Sequence, residues 1–130
     1  MRNQEPRAED YRWGSDWNGI QVGLWTAQLS VESGQPVELR AAVRNVSSDS
    51  IEVQPNFTLM VRWGEEKFEY RDGPRPAEPW LLCPGEFLEI LGWRFQEPWE
   101  SDVTTSKFWV VYGSEEVEQL SSDVVTIRLR

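Results

Sequence analysis

Apolar residues fall on alternate positions along most of this chain, in short runs divided by glycine, proline, asparagine and serine. A period of two is the mark of β-strands that bury one face. Ile20, Val22 and Leu24 share one parity, after which Ala27, Leu29 and Val31 carry the apolar pattern on the other. Such a change of phase moves side chains to the opposite face, so a bulge or kink is expected near Trp25. Turn chemistry at Glu32-Ser33-Gly34-Gln35-Pro36 precedes the cleanest amphipathic run: Val37, Leu39, Ala41 and Val43 on one face, Glu38, Arg40 and Arg44 on the other.

The polar stretch 45–50 breaks the alternation, because short Asn, Ser and Asp side chains hydrogen-bond their own backbone, and Ile51 and Val53 restart it. Phe57, Leu59, Val61 and Trp63 then align as far as Gly64-Glu65-Glu66, and Lys67-Phe68-Glu69-Tyr70 is placed to return antiparallel as a hairpin. Prolines in residues 71–79 predict an irregular loop, closed by Trp80-Leu81-Leu82. Cys83-Pro84-Gly85-Glu86 reads as a turn into residues 87–95, where Gly92 is the expected bulge. A second loop over residues 96–106 contains Pro98 and Trp99. The run Phe108-Trp109-Val110-Val111-Tyr112 is apolar on both faces, as in a central strand. The acidic residues 114–123 have room for one helical turn, and Val125, Ile127 and Leu129 alternate with Thr126, Arg128 and Arg130 as a terminal strand. No window sustains a helical period. About seven or eight short strands with frequent turns predict an all-β antiparallel sandwich, with residues 1–17 as a polar N-terminal arm and residues 18–130 as a single domain.

Composition narrows what such a sandwich does. The 130 residues, 39% of them hydrophobic, suffice for one core. A formal charge of −9 repels phosphate backbones and anionic lipid, which argues against nucleic acid and membrane surfaces and favours a basic partner. No apolar run approaches the roughly 18 residues of a membrane span, and the first residues lack the apolar region of a signal peptide. The protein is therefore expected to be cytosolic or to begin after a removed leader; the compartment stays open. The single cysteine, Cys83, has no internal disulfide partner and reads as a buried thiol before a turn. There is no histidine, which removes most catalytic triads, zinc sites and proton shuttles, whereas eight tryptophans argue for binding rather than chemistry. The denser acidic groups, Glu65-Glu66, Glu97 with Glu100 and Asp102, and Glu115-Glu116 with Glu118, lack the ligand spacing of a calcium loop and read as solvated surface. No cofactor, metal or catalytic residue is expected.

Two groups of residues carry a resemblance. Arg44-Asn45-Val46-Ser47-Ser48-Asp49-Ser50-Ile51, followed by Leu82-Cys83-Pro84-Gly85-Glu86-Phe87, is similar to the N-V-S-D-x-P-I and L-x-P-G-E elements of bacterial immunoglobulin-like domains. The closing residues 108–127 resemble the last hairpin of those domains. Trp13-Gly14, Asn18-Gly19 and Gly23-Leu24 resemble the opening W-G, N-G and G-L pattern of uncharacterised members. The resemblance implies an immunoglobulin-like antiparallel β-sandwich. A weaker similarity to the bacterial intracellular proteinase inhibitor family, through its N-x-S and P-G-E elements, implies a protease-binding loop.

The tryptophans divide by pattern. Trp63, Trp93 and Trp109 lie in strand runs and are expected to pack the core. Trp13, Trp17, Trp80 and Trp99 lie in the arm or in loops, where they serve either as a platform for a partner or as plugs for the ends of the sandwich. Trp25 fits either use. The expected function is that of a non-enzymatic binding or accessory domain for a protein partner, the bet on contact residues being Trp13, Trp17, Trp80 and Trp99. A carbohydrate-binding module using the same tryptophans and a proteinase-inhibitor-like domain are the alternatives.

Overall fold

The computed structural model describes residues 7–32, 35–53, 57–63, 67–72, 78–95, 104–113 and 118–130. A 3-10 turn, η1 (Ala8–Asp10), precedes strands β1 (Arg12–Trp13), β2 (Ile20–Thr26), β3 (Ser30–Val31), β4 (Val37–Asn45), β5 (Ile51–Val53) and β6 (Phe57–Trp63). After these come β7 (Lys67–Asp72), β8 (Trp80–Leu82), β9 (Phe87–Phe95), β10 (Thr105–Gly113), β11 (Glu118–Ser121) and β12 (Val125–Leu129). The first sheet runs β1-β2-β4-β9; the second runs β3-β12-β10-β6-β7, with β11 also on β10; β5 and β8 form a small ribbon. The fold is the antiparallel β-sandwich that the alternation predicts, in the immunoglobulin-like form that the resemblance implies. Segments β1, β3, β5, β8 and β11 are only two to four residues long; Ile51 and Val53 of β5 and Val31 of β3 fall in the alternating pattern, whereas β1, β8 and β11 are too short for it to register.

The alternation dictates the core. Val22, Leu24, Leu39, Ala41 and Val43 from the first sheet meet Phe57, Leu59, Val61, Phe108, Val110, Val125 and Ile127 from the second, all fully buried. Strand β12 shows the rule in its simplest form, with Val125, Ile127 and Leu129 buried and Thr126 and Arg128 exposed. The phase change near Trp25 is a crossing between sheets. Strand β2 pairs with β4, but after residues 27–29 the chain joins the second sheet as β3, parallel to β12. The irregularity of β9 lies at Ile90 and not at Gly92, since consecutive Ala41 and Ala42 face Leu91 and Glu89. Residues 118–121 of the acidic stretch form strand β11 on β10, and residues 114–117 of the same stretch, which is expected to have room for a helical turn, lie outside the described residues.

The two elements that carried the resemblance meet in space. Asn45, 1% exposed, donates from Nδ2 to the carbonyls of Asp49 (2.7 Å) and Leu82 (2.9 Å), while its Oδ1 accepts from the Ser47 amide (2.8 Å). Its backbone amide donates to the Glu86 carbonyl (3.0 Å) and its carbonyl accepts from the Gly85 amide (2.9 Å). A buried amide side chain is tolerated because each of its polar atoms is bonded. Asn45 thereby ties the end of β4 to the turn between β8 and β9, a structural duty.

Candidate binding surface

The arm leads to the surface. Asn18 and Gly19 both have positive φ, 52° and 87°. Trp17 and Ile20 exchange backbone hydrogen bonds of 2.9 and 3.1 Å across them. This is the two-residue type I′ loop that Asn-Gly favours, and it folds residues 12–14 back along β2. Arg12 and Trp13 lie opposite Leu24 and Gly23, and the Gly14 amide donates to the Val22 carbonyl at 3.0 Å. At Gly14 the arm touches the second sheet: a Cβ there would overlap the Ser121 carbonyl. The Asn-Gly pair was the available signal for this hairpin, which the alternation alone does not reveal.

Trp13 lies on the outer face of the first sheet. Its ring sits on Gly23, where an added Cβ would come within 2.7 Å of it. Its Nε1–H donates to the Ala8 carbonyl at 2.7 Å. Tyr11 and Phe87 flank it at centroid distances of 5.5 and 6.1 Å, and the Arg44 guanidinium lies over it at 4.2 Å. Arg44 Nε–H donates to Gln21 Oε1 (2.8 Å), and Gln21 Nε2–H donates to the Gly14 carbonyl (2.9 Å). The residue is half-buried. Its indole N–H is spent within the arm, on η1, while the seat on Gly23 and the contacts with Phe87 and Arg44 hold the ring on the sheet.

Trp17 is placed otherwise. It is 39% exposed, and its ring leans on Tyr112 at 6.3 Å. Tyr112 meets Phe57 edge-on at 5.2 Å, and Phe57 stacks on Trp80 at 6.4 Å. The row Trp17–Tyr112–Phe57–Trp80 therefore runs from solvent into the core and out to the margin, where Trp80 is half-buried against the core. Val46, 44% exposed, adjoins the same turn through its amide, which donates to the Gly19 carbonyl at 2.8 Å. Of the four tryptophans expected as contacts, the row links Trp17 and Trp80; Trp13 lies apart on the sheet face, and Trp99 lies outside the described residues.

The other sequence candidates resolve into structural parts. Trp93 packs against the core, whereas Trp109 lies half-buried on strand β10 between Phe108 and Val110, both fully buried, so that it faces away from the core. Trp25 carries the Arg40 guanidinium 5.7 Å from its ring, and Arg40 also pairs with Glu38 (3.4 Å) and Glu89 (3.6 Å). Cys83 is exposed and not buried, because the turn at 83–86 projects from the sandwich. Among the described residues, no group of three or more His, Cys, Asp or Glu is placed to hold a metal ion, and no helix is long and apolar enough to cross a membrane.

No protein-family model matches the chain, and no curated protein matches it. Solved structures do. The sporulation control protein Spo0M of Bacillus subtilis is similar over 88% of this chain and 50% of its own, with a TM-score of 0.56 and 12% identity. A cycloisomaltooligosaccharide glucanotransferase of Paenibacillus sp. is similar over 82% of this chain but 13% of its own, with a TM-score of 0.54 and 16% identity. The CARDB domain of a Pyrococcus furiosus protein, solved with di-metal ions, is covered in full by the whole of this chain, with a TM-score of 0.52 and 11% identity. The chain has an immunoglobulin-like fold. At such identities the likeness concerns the fold alone. The chain spans half the length of Spo0M and a much smaller share of the glucanotransferase.

Proposed function

We propose that this immunoglobulin-like sandwich is a non-enzymatic accessory module that binds a protein partner, with Trp17 as the anchor. The observation that carries this reading is an aromatic ring open to solvent yet braced from behind by the buried Tyr112–Phe57 pair. A ring held in one place loses little entropy on binding, which is why rigid aromatics serve as hot spots. Exposed Val46 beside the same turn extends the apolar centre, and the charge of −9 suits a partner that is basic around its contact. The absence of histidine supports the non-enzymatic part of the reading.

The test is capture of partners from lysate of the source organism by the wild type, by Trp17→Ala and by Trp13→Phe, with thermal unfolding to verify the fold of each. A protein held by the wild type and by Trp13→Phe but lost with Trp17→Ala is the expected result. Retention by Trp17→Ala would refute the anchor, and a glycan titration that quenches tryptophan fluorescence would replace the protein partner by a sugar.

A further inference from the structure

We propose that two copies of this chain pair antiparallel along β9 and form a symmetric dimer with a continuous sheet. Strand β9 is nine residues long and borders the first sheet, where β4 is its one neighbour among the described strands. An edge of that length presents a row of backbone donors and acceptors to any strand that fits it. Natural edges are commonly guarded by charges of one sign, which repel a second copy. The charges on β9 do the opposite.

Glu89, Gly92 and Arg94 stand in register with Ala42, Arg40 and Glu38 on the outer face of the sheet, and all three are exposed. Leu88 and Trp93 take the other parity, half-buried against the core. Ile90 is the extra residue of the bulge. Counted past it, Gly92 lies midway between Glu89 and Arg94 along the ladder. A two-fold axis through Gly92 therefore sets Glu89 of each copy opposite Arg94 of the other, twice. Residues directly opposite in an antiparallel pair share a face and sit about 5 Å apart at Cβ, within reach of such charges. The same register keeps every position on its own face, so Leu88 and Trp93 remain on the core side and extend the apolar layer across the junction. At the axis two glycines meet, and no side chain obstructs the closest approach.

This pairing is self-complementary, as a two-fold interface requires. It also leaves the proposed partner surface open. The sheet order places β9 at the opposite edge from β1, whose hairpin carries Trp17. A dimer would thus offer two copies of the Trp17 surface and gain from bivalent binding.

Sedimentation equilibrium on the full chain, over a wide concentration range in buffer near physiological salt, tests the proposal. The wild type should move from the 15.2 kDa monomer towards twice that mass as concentration rises. Glu89→Arg or Arg94→Glu alone sets like charges opposite each other at two symmetric places and should weaken dimerisation by about tenfold or more. The combined Glu89→Arg and Arg94→Glu chain restores opposite signs and should recover the wild-type constant, a rescue that a merely misfolded single variant cannot produce. Trp17→Ala should dimerise as the wild type does, which separates this result from the fate of the partner-binding reading. A wild type that stays monomeric to its solubility limit overturns the proposal. So does a dimer indifferent to the single reversals, or a failure of the double reversal to rescue.

Discussion

Trp13 and Trp17 are four positions apart on one hairpin, yet the fold uses them for opposite ends. Trp13 has a glycine for a seat, a carbonyl for its indole N–H and a guanidinium over its ring. Trp17 has a ring contact behind it and solvent in front. The first spends its chemistry on holding the arm to the sheet, and the second keeps its face for something else. A large aromatic in a polar segment is thus not a binding residue by type. What distinguishes the two is whether the opposite strand supplies a notch, and here Gly23 supplies one for Trp13 alone.

Substitutions along the hairpin break this contrast in a graded order. Gly14→Ala should be the most damaging, at about 3 kcal/mol or more in urea unfolding, because the new Cβ meets the Ser121 backbone, which cannot rotate away. Trp13→Ala removes the ring, its hydrogen bond and the stacked arginine together, and should cost about 2–3 kcal/mol in the same assay. Gly23→Ala leaves Trp13 present but lifts it from its seat. A loss of about 1–2 kcal/mol is expected, with a red shift in tryptophan emission as the ring meets water. Arg44→Met keeps the aliphatic packing and removes the cation and the link to Gln21, for about 1 kcal/mol that declines with added salt. Trp17→Ala should change stability by no more than about 0.5–1 kcal/mol, since much of its ring is already solvated. It should nevertheless abolish partner capture. If Trp17→Ala instead destabilised the chain as much as Trp13→Ala, the two tryptophans would be alike and the contrast would fail.

A period of two made β2, β4, β6, β7 and β12 legible, since burial on one face imposes it and residues 37–43 and 125–129 follow it directly, while β9 and β10 were legible as apolar runs bounded by turn residues. The all-β antiparallel sandwich followed from it, and the resemblance of residues 44–51 and 82–87 to bacterial immunoglobulin-like domains added the immunoglobulin-like form. The Asn45 and Pro84-Gly85-Glu86 elements were legible as turn grammar, but their joining into one hydrogen-bonded knot was not, because residues so distant in sequence meet only once β4 and β9 pair. Of the candidate contacts, the pattern pointed to Trp13, Trp17, Trp80 and Trp99 as residues of the arm or loops, the last of which lies outside the described residues. It was silent on which of them kept an open face.

Local alternation and composition account for the longer strands, most of the hydrophobic core and the acidic, histidine-free character of the chain. That residues 27–29 cross between sheets, that the arm becomes an edge strand and that Trp17 is braced by Tyr112 emerge from the packed fold. Each of these depends on which strand lies beside which, and strand neighbours are chosen by the packing of the two sheets as a whole.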